Sequence, residues 1–161
     1  MIKIFPVATN EDIEIVKELF VEYADFLNEI LGERKPSRAD YYNQKILEEV
    51  NDLPDEYAAP KGCILLAEYK NEVAGCIAIS EITAGLCELK RLYVKPQFRR
   101  MGIGKKLVNA VIKKAAELNY ERICLIAGDL LPVAKELYIS LGFEVKGSAV
   151  KSSVHMELKL I

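Results

Sequence analysis

The stretch from Lys90 to Lys106 constrains this chain more than any other. It reads as a strand-like run ending at Val94, a turn at Lys95-Pro96, and a helical pattern opening around Gly102 and Gly104, with cations throughout and no carboxylate. The first N–H groups of a helix have no intrahelical acceptor, and the helix dipole adds partial positive charge at that end. Glycines beside such an end remove side chains that would keep a phosphate oxygen from those N–H groups. Cations and bare amides together suit a pyrophosphate, so the sequence predicts a phosphate-bearing ligand here.

Two common phosphate motifs fail at this site. A Walker A loop needs glycine where Arg99 stands and Ser or Thr where Lys106 stands. A dinucleotide fingerprint needs a third Gly or Ala at Leu107, and no amino-terminal strand–helix–strand unit surrounds it. The charge pattern also speaks against a nucleic-acid binder. The chain has a formal net charge of −2, and its 9 Lys or Arg between residues 90 and 116 form one compact patch with no acid among them. Residues 1–60 carry 14 acids against 6 bases. A nucleic-acid surface would be basic overall and broad, with interleaved aromatics.

At 161 residues the chain suits one domain with a full core. No apolar run approaches the roughly 20 residues of a membrane span, and Met1 to Pro6 lacks the apolar stretch of a signal peptide. A cytosolic location is expected, with no membrane partner. Cys63, Cys76, Cys87 and Cys124 are widely separated and His155 is the sole histidine. This spacing disfavours zinc and is read as reduced, buried thiols, with His155 an ordinary strand residue.

Periodicity predicts the elements. Residues 2–7 read as a strand, and Thr9 with Asp12 opens a helix as N-cap and acidic N3 partner. Ile13, Val16, Leu19, Phe20, Tyr23, Leu27, Ile30 and Leu31 line one face up to a stop at Gly32. A second helix is expected over 38–51 and a loop over 53–60. Three strands then form an antiparallel meander: Cys63 to Tyr69, Val73 to Glu81, and Leu86 to Val94. A helix over 102–118 follows, then a short buried strand from Arg122 to Ile126. A helix from Pro132 has Leu137 and Leu141 facing inward and stops at Gly142 in Schellman fashion, with Phe143 behind it. Strands near 143–147 and 150–160 end the chain. Hairpins followed by a strand–helix–strand crossover imply a mixed sheet with helices on both sides, an α/β fold.

Arg99-x-x-Gly102-x-Gly104 matches the [QR]-x-x-G-x-[GA] signature of the GNAT superfamily of acyl-CoA-dependent N-acetyltransferases. Its context matches as well: Leu89 to Pro96 before it, a helix after it, and Ala134-x-x-Leu137-Tyr138-x-x-Leu141-Gly142-Phe143 downstream. The sequence resembles that superfamily from about residue 60 to the carboxyl end and more loosely before it. Tyr57 to Gly62 with Cys87 to Lys90 looks like one bacterial branch. The resemblance implies a GNAT-like fold, a mixed and mostly antiparallel sheet of six to seven strands flanked by helices. Residues 1–60 would be a variable, substrate-facing strand and helices, and 61–161 the acetyl-CoA-binding core.

The resemblance also implies acetyl-CoA as cofactor. The strand ending at Val94 would splay from its neighbour, with backbone at Leu92, Tyr93 and Val94 bonding the pantetheine amides. N–H groups of Arg100, Met101, Gly102, Ile103, Gly104 and Lys105 would hold the pyrophosphate, with Arg99 or Arg100 adding charge. Backbone at Val94 would polarise the thioester carbonyl. Tyr138 matches the tyrosine that commonly protonates the departing thiolate, and Glu88 occupies the position of a catalytic glutamate that some members carry. Several members have an asparagine near the start of the fourth helix, where this chain departs from the pattern with Leu131-Pro132.

The chemistry asks for both proton carriers. A lysine-type amine has a pKa near 10, so about 0.1 % is neutral at pH 7. A base, acting directly or through water, must take a proton, and a phenol can return one to the thiolate. The expected activity is acetyl transfer from acetyl-CoA to a primary amine of a small molecule or peptide by direct attack. Its rivals are a non-catalytic acyl-CoA sensor, and a scaffold or toxin-type partner protein, on the same fold. For Tyr138 the alternative is a core phenol, and for Glu88 a strand carboxylate paired with lysine. The acids of residues 1–60 either draw in a cationic acceptor or are the wet faces of two helices.

Overall fold

The computed structural model describes residues 1–31, 36–128, 132–148 and 153–160. Its elements are β1 (Ile2–Pro6), α1 (Asn10–Leu31), α2 (Pro36–Asp52), β2 (Cys63–Tyr69), β3 (Glu72–Thr83), β4 (Leu86–Val94), α3 (Ile103–Glu117), β5 (Arg122–Gly128), α4 (Pro132–Ser140), β6 (Glu144–Ser148) and β7 (Ser153–Lys159). A 3₁₀ turn, Asp55–Tyr57, lies in the loop after α2. The seven strands form one sheet in the order β1-β2-β3-β4-β5-β7-β6. Every neighbouring pair is antiparallel except β4 with β5, the pair joined by the α3 crossover. Among the described residues no helix is long and apolar enough to cross a membrane.

Strand alternation sends side chains to two cores. Cys63, Leu65, Ile77, Ile79, Cys87, Leu89, Ile123 and Leu125 meet α3 through Ile103, Leu107, Val108, Val111 and Ala115. Ile64, Leu66, Cys76, Ala78 and Tyr93 meet α1 and α2 on the other face through Val16, Leu19, Phe20, Leu27 and Ile46. All four cysteines are free and buried, one on each of β2 to β5.

Local signals set the element ends. Thr9 Oγ1 accepts from the Asp12 N–H at 3.0 Å, and Asp12 returns an oxygen to the Thr9 N–H at 3.2 Å, a reciprocal cap. The Ala8 N–H bond to that carboxylate leads the contacts that hold Asp12 below the usual carboxyl range. The turn expected over Lys70 to Glu72 is tighter, because β3 starts at Glu72 and Lys70 and Asn71 take φ of +51° and +68°. Two positive-φ residues are what a twisted two-residue hairpin needs. At the end of α4 the Phe143 N–H bonds Tyr138 and the Gly142 N–H bonds Ile139, both at 3.1 Å, the Schellman pattern.

Three expectations need adjusting. The second helix begins at Pro36, since a proline's fixed φ is already helical in a first turn. β5 runs on to Gly128, and its Ile126 is exposed where a buried strand was expected. Beyond Cys124 β4 no longer flanks that strand. Leu137 and Leu141 are half-buried, packed against the α3-side core. The proposed stop at Gly32 lies outside the described residues, as do 149–152 of the last hairpin.

Gly75 of β3 fixes where β4 ends. A Cβ built on it lies 2.3 Å from the Tyr93 carbonyl oxygen and 3.1 Å from the Val94 Cα, both backbone atoms that cannot swing aside. Gly75→Ala is therefore expected to cost about 1–3 kcal/mol in urea unfolding, as overpacked sites do, and to shift the end of β4. An unchanged midpoint would contradict this packing.

Candidate active site

The sheet is parted at one place. β4 pairs β5 only through Leu86, Cys87 and Glu88 against Arg122, Ile123 and Cys124. On their far sides both strands stay fully paired, β4 with β3 up to Val94 and β5 with β7 up to Gly128. From Leu89 onward β4 thus turns an internal edge toward a gap. Such an edge presents unpaired N–H and C=O groups, which an extended amide-bearing ligand can pair as an added strand. Leu92, Tyr93 and Val94 lie on this edge. Leu92 and Val94 pack toward α3, and Tyr93 is buried toward α1 with its ring edge-on to Tyr23 at 6.0 Å.

The open mouth of the gap lies by the amino end of α3. Gly102 caps that helix with φ of +79° and Arg100 precedes it at +64°. Lys106 is the first residue whose N–H bonds back, to Gly102 at 3.1 Å. Among the described residues, no acceptor meets the N–H groups of Arg100, Met101, Gly102, Ile103, Gly104 or Lys105. Arg100, Lys105 and Lys106 are exposed and, among those residues, make no ion pair. Bare amides and unpaired cations thus share one spot. Arg99 is already engaged: its Nε donates to the Val94 carbonyl at 2.9 Å, and its guanidinium lies 4.7 Å from the Phe26 ring centre of α1. The free arginine of the pair is Arg100.

Tyr138 of α4 is 7 % exposed and its ring meets Phe143 edge-on at 5.6 Å. It belongs to the α3-side core, on a helix packed against β5. Burial pushes its pKa above that of a free phenol, and Tyr23 adds to the shift. Among the described residues its hydroxyl has no hydrogen-bond partner. A buried hydroxyl without one costs about 1–3 kcal/mol, so an orphan of this kind calls for an explanation.

Glu88 sits at the closed apex of the gap, opposite Ser80 on β3 and Cys124 on β5. Its carboxylate lies 3.8 Å from the Lys90 ammonium, which is 3.6 Å from Glu56. The lysine pairing expected of a plain strand carboxylate is thus present, beside the gap. Cys124, its neighbour, is no nucleophile at neutral pH: burial pushes its thiol up to about 11, with Glu88 and Glu157 adding to the rise. Leu131 lies outside the described residues.

The charge segregation seen in the sequence partly closes on itself. Glu22 meets Lys95 at 3.6 Å, Glu49 meets Arg91 at 2.8 Å, and Glu56 meets Lys90. Arg91 had stood out only as one of a cationic run. In the fold it is 9 % exposed beside Glu49, itself 11 % exposed, at a φ of +60° in mid-strand. No local pattern signals a partner 42 residues away. The available hint was a second cation directly after Lys90 in the middle of a strand-like run.

The profile of the acetyltransferase (GNAT) family matches residues 23–143. An uncharacterized N-acetyltransferase of Schizosaccharomyces pombe is 32% identical over 123 residues, covering 73% of this chain and 76% of the relative. The uncharacterized N-acetyltransferase YjgM of Escherichia coli is 30% identical over 114 residues, 69% of this chain and 68% of its own. The crystal structure of PaiA N-acetyltransferase from Thermoplasma acidophilum in complex with coenzyme A shares the fold, with a TM-score of 0.79, 24% identity and 99% of each chain covered. The parted sheet, the bare amides at α3 and these matches place the chain in the GNAT family of acetyltransferases. It is an acyltransferase, and acetyl-CoA is the cofactor of its family.

A Cβ on Gly104 would lie 3.8 Å from Leu137, an ordinary contact. Gly104→Ala is expected to leave the melting temperature unchanged or raise it, since alanine favours helix. It is expected to weaken acetyl-CoA binding by calorimetry, by about fivefold or more, by standing over the bare amides. Equal affinity would show that the anion does not approach here.

Proposed function

We propose that this chain moves an acetyl group from acetyl-CoA to a primary amine by direct attack. The observation that carries the reading is the buried Tyr138 hydroxyl, which among the described residues has no hydrogen-bond partner, together with the unbonded amides of Arg100 through Lys105 at the start of α3. One ligand satisfies both. The amides of Arg100 through Lys105 would hold its diphosphate with Arg100, Lys105 and Lys106 as counter-charges, backbone from Leu92 to Val94 would pair its pantetheine amides, and Tyr138 would serve its sulfur. Bound in this way, acetyl-CoA supplies an activated thioester.

The chain's residues then do three things. The edge of β4 and the amino end of α3 hold the thioester against the incoming amine, which removes the entropic cost of their encounter. Backbone at Val94 polarises the carbonyl oxygen. Glu88, directly or through a water, takes the proton that the attacking nitrogen loses as its C–N bond forms. Tyr138 gives its proton to the sulfur as the C–S bond breaks. Support for direct attack comes from the thiols: Cys76 and Cys87 are pushed up to about 12 by burial and Cys124 to about 11. None offers a thiolate to carry the acetyl group. The acceptor is a small-molecule or peptide amine.

The pH dependence follows in sign. An acid works while protonated, which holds below its pKa, and that of Tyr138 lies above the usual phenol value. The kcat profile is expected to show no alkaline fall from this group up to about pH 10. Tyr138→Phe is expected to lower kcat by about 100-fold or more while leaving acetyl-CoA affinity near wild type. Thiol release across an amine panel measures both. A variant with wild-type kcat but a lowered melting temperature would make Tyr138 a core residue. Cofactor binding with no thiol release from any amine would instead favour an acyl-CoA sensor.

A further inference from the structure

β4 carries one more residue than β3 across a short interval. Cys76 stands opposite Tyr93 and Ala78 opposite Lys90, so Arg91 and Leu92 together face the single residue Ile77. This bulge comes three residues after Glu88, the last β4 residue paired with β5. Bulges bend and twist the strand that carries them, and this one lies where β4 leaves its neighbour. Arg91 occupies the left-handed region at φ of +60°. A long side chain with a Cβ adopts that conformation only when its surroundings hold it there.

The holding group is Glu49, near the end of α2. Its Oε2 accepts from Nε of Arg91 at 2.8 Å and forms an ion pair with a terminal guanidinium nitrogen, also at 2.8 Å. Its Oε1 accepts from the Tyr57 hydroxyl at 2.7 Å. With both oxygens engaged, the carboxylate cannot turn. Tyr57 is itself locked in the α1–α2 core, edge-on to Phe20 at 6.1 Å. The guanidinium lies 5.9 Å from the Tyr23 ring centre, and the Cys76 thiol donates to the Arg91 carbonyl at 3.4 Å. Every contact fixes the bulge from the α1–α2 side. A buried pair of this kind adds little net stability over apolar residues, yet it specifies one geometry.

We propose that Glu49 is a positioning residue for acetyl-CoA: through Arg91, and with Tyr57 behind it, it holds the bulge that sets how β4 opens from β5. This rests on the reading that the pantetheine pairs the β4 edge. The strut also ties α2 and the 3₁₀ turn to the cofactor strand.

The test is acetyl-CoA affinity by calorimetry, with KM and kcat for both substrates, well below each variant's melting temperature. Glu49→Gln keeps the shape and removes the charge. Arg91→Gly relieves the backbone conformation but removes the guanidinium. Each is expected to weaken acetyl-CoA binding roughly tenfold, and the double variant to be no worse than either single one, because both break one link. The KM for the amine is expected to move far less. Tyr57→Phe, which removes a single hydrogen bond, gives a smaller loss of about threefold and serves if Glu49→Gln does not fold. Variants that melt earlier yet bind acetyl-CoA with wild-type affinity would overturn the proposal and leave the strut a scaffold. A wild-type protein that bound no acetyl-CoA would instead overturn the cofactor reading beneath it.

Discussion

β4 gives up β5 after Glu88, and the rest of the site depends on that parting. Unpaired backbone inside a sheet costs free energy unless something else meets it, so the gap is kept open by force from both sides. Behind β4, Gly75 lets the Tyr93 carbonyl approach closely, and the Arg91 bulge fixes the bend. Behind β5, the seven-residue ladder with β7 keeps that strand straight. The internal edge then offers hydrogen-bonding groups of the kind an amide-bearing ligand can pair.

The two cores divide the labour. The α3 side delivers the helix end with its bare amides and supports α4, the helix that carries Tyr138. The α1–α2 side supplies the acids that meet Lys90, Arg91 and Lys95. Much of the contrast between an acidic first third and a basic middle is therefore spent inside the molecule. Of the cations near the α3 turn, Arg100, Lys105 and Lys106 make no ion pair among the described residues, while Arg99 ties the end of β4 to α1.

Legibility followed the range of the interactions. The cap at Thr9 and Asp12, the hairpin at Lys70 and Asn71, and the stop at Gly142 are set by residues within five positions, and each could be read from the sequence. The amides at Gly102 and Gly104 were legible for the same reason: a turn with glycines needs no distant partner to declare itself. Arg91 was not, because its conformation is imposed by Glu49 and Tyr57 from elements that meet it only in the fold. Ile126 misled for a related reason. Its apolar neighbours suggested a covered strand, but cover on that flank depends on where β4 departs. That the Tyr138 hydroxyl has no hydrogen-bond partner among the described residues could be found only from its surroundings, since the sequence allows a core phenol equally well.

Amide hydrogen exchange with and without saturating coenzyme A tests the central claim most directly, residue by residue. The gap-facing amides between Leu89 and Val94, those not bonded to β3, and the amides of Arg100 to Lys105 exchange freely in the ligand-free protein on this account and become protected together when coenzyme A binds. Binding that leaves both segments unprotected, or that protects only residues away from the gap, would contradict it.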